Sequence, residues 1–205
     1  DLIEFNRIES GYKKPVIIPV DITALANKLV DSFTDMAESH AVRFEKEISL
    51  FIQWNSDKDF IVTILLNLLS NAFKYAENEK KVIVRIGTDS NNLYITVSNT
   101  GKGIAVKDIP TLFDRYRILQ NIEQSDNTSF WSRNGLGLAI SYNMVYLLGG
   151  TIEVESIPDE WTHFRIKLPY LEASLDGSNE ETAVLLPDYN PCLLYTSPSP
   201  RDAHE

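Results

Sequence analysis

Asn67, Asn71 and Lys74 stand four and three residues apart in an otherwise largely apolar segment. On a helix that spacing puts them on one stripe, beside the stripe of Ile61, Ile64, Leu68, Ala72 and Tyr75 rather than opposite it. Asparagine is a poor interior helix former, so two of them one turn apart need a reason. An amide oxygen is a hard ligand, suited to a cation that keeps several waters, and the lysine ammonium neutralises anionic oxygens. Two glycine motifs follow, Asn99-Thr-Gly101-Lys-Gly103-Ile104 and Asn134-Gly135-Leu136-Gly137-Leu138. Gly101 and Gly103 let a backbone turn tightly against a ligand. The second motif opens a helix, and amides at Gly135, Leu136 and Gly137 in its first turn suit phosphate oxygens. The glycine motifs fit a phosphate-bearing ligand. The three histidines, His40, His163 and His204, have no metal-ligand spacing.

Alternating helices and strands must position these groups. Val16–Val20 reads as a short strand, and Asp21 can cap a helix from Ile22 to about Ser39. Arg43 to Trp54 predicts one bent strand or a hairpin, and Ser56-Asp57 opens a second helix running to about Ala76. Lys81–Thr88 and Leu93–Ser98 alternate apolar and polar residues around an Asn91-Asn92 turn. A helix from Leu136 to Leu148, closed by Gly149-Gly150, precedes strands at Thr151–Ser156 and Thr162–Leu168. The expected fold is a two-layer α/β sandwich, a mixed or mostly antiparallel sheet with helices on one face.

Four motifs in fixed order identify a relationship: Asn67-Leu-Leu-Ser-Asn71-Ala-Phe-Lys74-Tyr75, Asn99-Thr-Gly101-Lys-Gly103-Ile104, Leu112-Phe113-Asp-Arg115-Tyr116 and Asn134-Gly135-Leu136-Gly137-Leu138. They resemble the N, G1, F and G2 boxes of the ATP-binding catalytic domain of sensor histidine kinases, in the GHKL group of ATPases. The resemblance covers nearly all of Asp1 to Tyr170 and implies the Bergerat ATP-binding fold. It also implies that Asn71 holds a magnesium ion bridging the triphosphate, that Lys74 neutralises phosphate charge and that Tyr75 lies against the nucleotide. Ile104 would pack on the adenine, Thr162 would bind its edge, and Arg115 would contact phosphate. Asn67 stands where gyrase-type relatives carry a glutamate that activates water; an amide takes no proton at neutral pH, which favours transfer over hydrolysis. This also argues against a serine kinase of the anti-sigma type. Two positions depart from the pattern: Asn99 replaces the usual aspartate that accepts from the adenine amino group, and Arg133 replaces a leading glycine. The polar stretch Ile118 to Ser132, with Phe130 and Trp131, corresponds to the ATP lid.

The implied function is binding of Mg-ATP and transfer of its γ-phosphoryl group to a histidine on a preceding helical hairpin, in the same or a partner protomer. Asn99 and Arg133 also admit a degenerate nucleotide-binding module without phosphotransfer. The wording of the glycine motifs resembles hybrid two-component sensors, so the expected surroundings are a downstream receiver domain, a homodimer, and the cytoplasmic side of a membrane anchor.

Composition agrees with one domain plus extensions. The chain has 205 residues, 43% of them hydrophobic, enough for a real core. A formal charge of −10 argues against nucleic acid as a partner. Residues 1–11 resemble the end of the dimerisation and phosphoacceptor helix, with 12–171 as the catalytic domain. Residues 172–191 have the Ser, Asn, Asp and Glu content of a linker. Residues 192–205, opening Cys192-Leu-Leu-Tyr-Thr-Ser-Pro-Ser-Pro-Arg-Asp202, read as a translated sequencing adapter. Cys192 and His204 fall inside that segment. Cys192 is the sole cysteine, so no internal disulfide forms, which suits a reducing compartment. No apolar run approaches the roughly 20 residues that span a bilayer.

Overall fold

Strict apolar alternation drives the central layer. In the computed structural model, which describes residues 14–76, 80–110, 112 and 136–174, Val82, Val84 and Ile86, Leu93, Ile95 and Val97, and Phe164, Ile166 and Leu168 all turn to one face, none more than 3% exposed. They belong to β4 (Lys81–Thr88), β5 (Asn92–Thr100) and β7 (Trp161–Pro169). With β2 (Arg43–Ile48) and β6 (Thr151–Ile157) these form a five-stranded sheet in the order β2-β4-β5-β7-β6. The β2–β4 pair is parallel and the other three are antiparallel. Val84, Val97 and Phe164 lie directly opposite one another across three strands, as do Ile86, Ile95 and Ile166. Each such side chain contributes roughly 1.5–3 kcal/mol by leaving water.

Helices cover that face, completing the expected sandwich. α1 (Ile22–Asp31) is capped by Asp21, whose Oδ1 accepts from the Ala24 amide at 2.9 Å. α3 (Lys58–Tyr75) is capped by Asp57, whose Oδ1 accepts from Phe60 N at 3.0 Å. α4 (Leu136–Leu147) packs beside α3. The helix anticipated from Ile22 to Ser39 is broken at Ser32 and Phe33, and α2 (Thr34–Ser39) resumes beyond. The break lets Phe33 sink to 0% exposure and stack on Phe73, ring centroids 5.4 Å apart.

Arg43 to Trp54 is not a hairpin. β2 joins the large sheet, whereas β3 (Gln53–Ser56) pairs antiparallel with β1 (Ile18–Asp21) in a separate two-stranded sheet. The Thr23 hydroxyl braces the turn between them: it donates to Ser49 O at 2.8 Å and accepts from Ile52 N at 2.9 Å. Tyr75 also departs from its expected core stripe. It ends α3 at 45% exposure, past the cover of the sheet, while Ile61, Ile64, Leu68 and Ala72 are buried.

The small sheet gathers both ends of the described domain. Val16 N donates to the second oxygen of Asp57 at 2.8 Å. Ser174 N donates to Ile17 O at 2.9 Å, Ile17 N donates to Ser174 Oγ at 3.3 Å, and Asn55 Nδ2 donates to Leu171 O at 2.9 Å. Trp54 packs edge-on against Tyr170. Among the described residues no helix is long and apolar enough to cross a membrane.

Candidate nucleotide site

Strand register places Asn99 directly opposite Thr162 on β5 and β7. Both turn toward the helix layer, 4% and 5% exposed. Asn99 donates its amide N–H to Thr100 O at 3.1 Å, which leaves Oδ1 as the accepting end of the amide. Gly101 begins the loop that leaves β5, and that loop is braced on the β6–β7 turn. Gly101 N donates to Glu160 O at 3.2 Å, and Asp159 N donates to Lys102 O at 3.1 Å. Gly103 holds φ +75°, and a Cβ there would come within 2.6 Å of Ser156 Oγ. That close approach and the positive φ both require glycine. Ile104, half-buried, packs against the core.

The sequence reading missed Ser156. Its hydroxyl accepts from Ile104 N at 2.8 Å and lies 3.0 Å from Thr162 Oγ1. The available signal was faint: a serine on β6 where Ile152 and Val154 set an apolar inward row. On the reverse face, Ser98 Oγ meets His163 Nδ1 at 2.7 Å, and Trp161 stacks on the same imidazole at 5.8 Å. Burial holds His163 below its ordinary value; Arg165 and Arg85 add to the effect and Glu155 opposes it.

The other edge of the site lies between α3 and α4. Asn67 Nδ2 donates to Gly137 O at 3.1 Å and to Ser141 Oγ at 3.2 Å, and Ser141 Oγ donates back to Gly137 O at 2.9 Å. Asn67 therefore clamps the first turn of α4, and a Cβ on Gly137 would press within 3.3 Å of its Cγ. Leu138 is buried beneath that turn. Asn71 lies one turn further along α3, half-buried, and Lys74 follows with Nζ 5.2 Å from the Tyr75 ring centroid. Among the described residues no three His, Cys, Asp or Glu side chains cluster to hold a metal. Arg115, Arg133, Gly135, the side chain of Leu136 and the Ile118–Ser132 stretch lie outside the described residues.

The family model for histidine kinase-, DNA gyrase B- and HSP90-like ATPases matches residues 56–172. The chain is 31% identical over 171 residues to the circadian input-output histidine kinase CikA of Synechocystis sp., covering 82% of this chain and 22% of that protein. It is 32% identical over 185 residues to the sensor histidine kinase WalK of Bacillus subtilis, covering 88% and 29%. The chain thus spans under a third of either relative. The fold resembles the Acinetobacter baumannii histidine kinase AdeS (TM-score 0.65, 22% identity, 83% of this chain and 76% of that one). It also resembles full-length ShkA in complex with AMPPNP (TM-score 0.68, 20% identity, 84% and 35%).

Proposed function

Because this chain belongs to the histidine kinase-, DNA gyrase B- and HSP90-like ATPase family, as the ATP-binding catalytic domain of a sensor histidine kinase, we propose that it binds Mg-ATP and transfers the γ-phosphoryl group to a histidine on a helical hairpin. The observation that carries the reading is Asn67. An amide takes no proton at neutral pH, and its N–H groups hold Gly137 O and Ser141 Oγ, so the position offers no base to activate water and transfer to a protein group is favoured over hydrolysis.

The base sits at the Asn99–Thr162 pair, with Asn99 Oδ1 accepting from the adenine amino group and Ile104 against the ring. The triphosphate runs toward Asn71, Lys74 and the first turn of α4, with Arg115 and Arg133 as further cations. A single half-buried amide at Asn71, with no acidic cage among the described residues, fits magnesium, which keeps its waters and takes few protein ligands. When bound, the ion neutralises charge on the phosphate oxygens. Positioning and charge neutralisation supply the catalysis, since phosphoryl transfer needs little covalent help from the protein. The partners that follow are a phosphoacceptor hairpin of the same or a partner protomer, a second copy, and a downstream receiver domain at the cytoplasmic face of a membrane.

Incubating the domain with a phosphoacceptor hairpin and γ-labelled ATP tests the reading. Acid-labile, base-stable label on the hairpin is expected; acid-stable label would overturn it. A second reading, a nucleotide-binding signalling module without transfer, draws on neutral Asn99 where relatives carry aspartate. ATP binding with no label on the hairpin selects that alternative.

A further inference from the structure

We propose that Asp57 is a positioning residue for phosphotransfer: its carboxylate ties the entering polypeptide to the start of α3, and so sets the direction from which an attached acceptor hairpin reaches the Asn71–Lys74 edge. This rests on the transfer reading above and adds to it a residue remote from the nucleotide.

The two oxygens of Asp57 serve two different parts of the chain. Oδ1 accepts from Phe60 N at 3.0 Å and caps α3, while Oδ2 accepts from Val16 N at 2.8 Å. The register explains the second bond. β1 and β3 pair Ile18 with Ser56, so continuing the ladder would bring Val16 to Lys58. The chain has already turned into α3 there, and the side chain of Asp57 stands in for the missing strand. One residue on, Ile17 is bonded to Ser174 through both its N–H and its carbonyl. The entry is thus held at consecutive residues, by the start of α3 at Val16 and by the departing chain at Ile17.

Capping alone would be met by serine, threonine or asparagine. Among capping side chains only a carboxylate presents two accepting oxygens on so short a stem. Asp57 is 6% exposed, so water is poorly placed to replace either bond, and bonds to an ionised acceptor are the stronger kind. From this carboxylate α3 runs 18 residues, through Asn67 and Asn71 to Lys74 and Tyr75. A packed helix acts as one rigid element, so the placement of its first turn carries to its last. The link therefore bears on how a tethered hairpin meets the phosphate edge, and leaves the pocket itself alone. For a tethered acceptor that geometry sets the effective concentration; for an acceptor free in solution it does not.

The test compares transfer by a longer chain to its own attached hairpin with transfer by the 205-residue chain to a supplied hairpin. Asp57→Asn keeps a good cap but turns an amide N–H toward Val16 N, so only the link to the entry is lost. Val16→Pro removes the donor from the other side of the same bond. Each should slow transfer to the attached hairpin about 10-fold, the low end for one hydrogen bond to a charged group. Transfer to the supplied hairpin and ATP affinity should stay unchanged, and the double variant should be no slower than the single ones. Equal losses for attached and supplied hairpins, or additive losses in the double variant, overturn the proposal and reduce Asp57 to a helix cap. Hydrogen exchange on the unmodified protein guards against variants that misfold: the Val16 amide should be protected as Phe60 N is. Exchange of Val16 at the rate of an unfolded chain overturns the proposal while leaving the transfer reading intact. An unmodified protein that binds ATP and labels neither hairpin overturns both together.

Discussion

The two edges of the candidate site are built by opposite means. At the Asn99–Thr162 edge, every group is held from several sides: by the β5–β7 ladder, by Ser156 against Ile104 N, and by the β6–β7 turn against Gly101 and Lys102. At the Asn71–Lys74 edge, the side chains project from the last turns of one helix, half-buried, and α3 ends at an exposed tyrosine. A strand ladder fixes a side chain to within the tolerance of its cross-strand neighbours, while a helix end fixes only the backbone. On the proposed reading, recognition of the base falls to the rigid edge. On the same reading, neutralisation of charge, which tolerates looser geometry, falls to the freer one.

The largest expected effect lies at the freer edge. Asn71→Ala removes the proposed magnesium ligand, and phosphotransfer to a supplied hairpin should fall at least ~100-fold, about 2.7 kcal/mol of transition-state stabilisation. Melting temperature should scarcely move, because a half-buried amide at a helix edge carries little of the core. Activity within a few-fold of the unmodified protein would reduce Asn71 to a structural residue and leave the comparison with one functional edge.

Gly103→Ala tests the rigid edge from the opposite direction. It adds a Cβ beside Ser156 Oγ and places a non-glycine residue at φ +75°, at a cost of about 1–3 kcal/mol. Both stability and ATP affinity should drop, the latter roughly 10-fold. Loss of affinity without loss of stability would mean that the loop is pliant until the nucleotide arrives.

Asn99→Asp separates the two edges by charge. The variant forfeits the bond to Thr100 O, so stability should fall by about 1 kcal/mol. A charge-assisted acceptor should nonetheless tighten ATP several-fold, with GTP scarcely helped. Equal changes for both nucleotides would show that Asn99 does not read the base.

The smallest effect concerns the back of the rigid edge. The folded protein holds His163 below its ordinary value, with burial the leading cause. The unfolded chain therefore binds a proton at a pH where the folded one does not. Stability should rise with pH across the window just below about 6.5, and fall on acidification through it. Thermal melts of His163→Gln at pH 7 and pH 5.5 should show a flatter dependence than the unmodified protein; an unchanged slope would place the pH sensitivity elsewhere.

How far the sequence revealed this molecule varied with the distance over which each feature is determined. Local patterns were legible: the caps at Asp21 and Asp57, the alternation in β4, β5 and β7, the helix of α3, and the sandwich itself. The motif order also identified the family. Features that depend on remote partners were not legible. Asn67 gives no local sign that it will clamp Gly137 and Ser141 on another helix. Ser156 looks like an ordinary serine on an edge strand until Ile104 and Thr162 meet it. The turn between β2 and β3 is braced by the Thr23 hydroxyl, from a helix well before either strand. Tyr75 followed the period of the core stripe but falls on the last residue of α3, where it is exposed.

The bonds that join Ile17 to Ser174 and Asn55 to Leu171 have a mechanical consequence. The polypeptide arrives and departs side by side, as a loop of string does at the mouth of a purse. Tension between neighbouring segments would load those few bonds first, peeling them open one at a time. The five-stranded sheet, and the Asn99–Thr162 pair built on it, would feel no pull until they gave way.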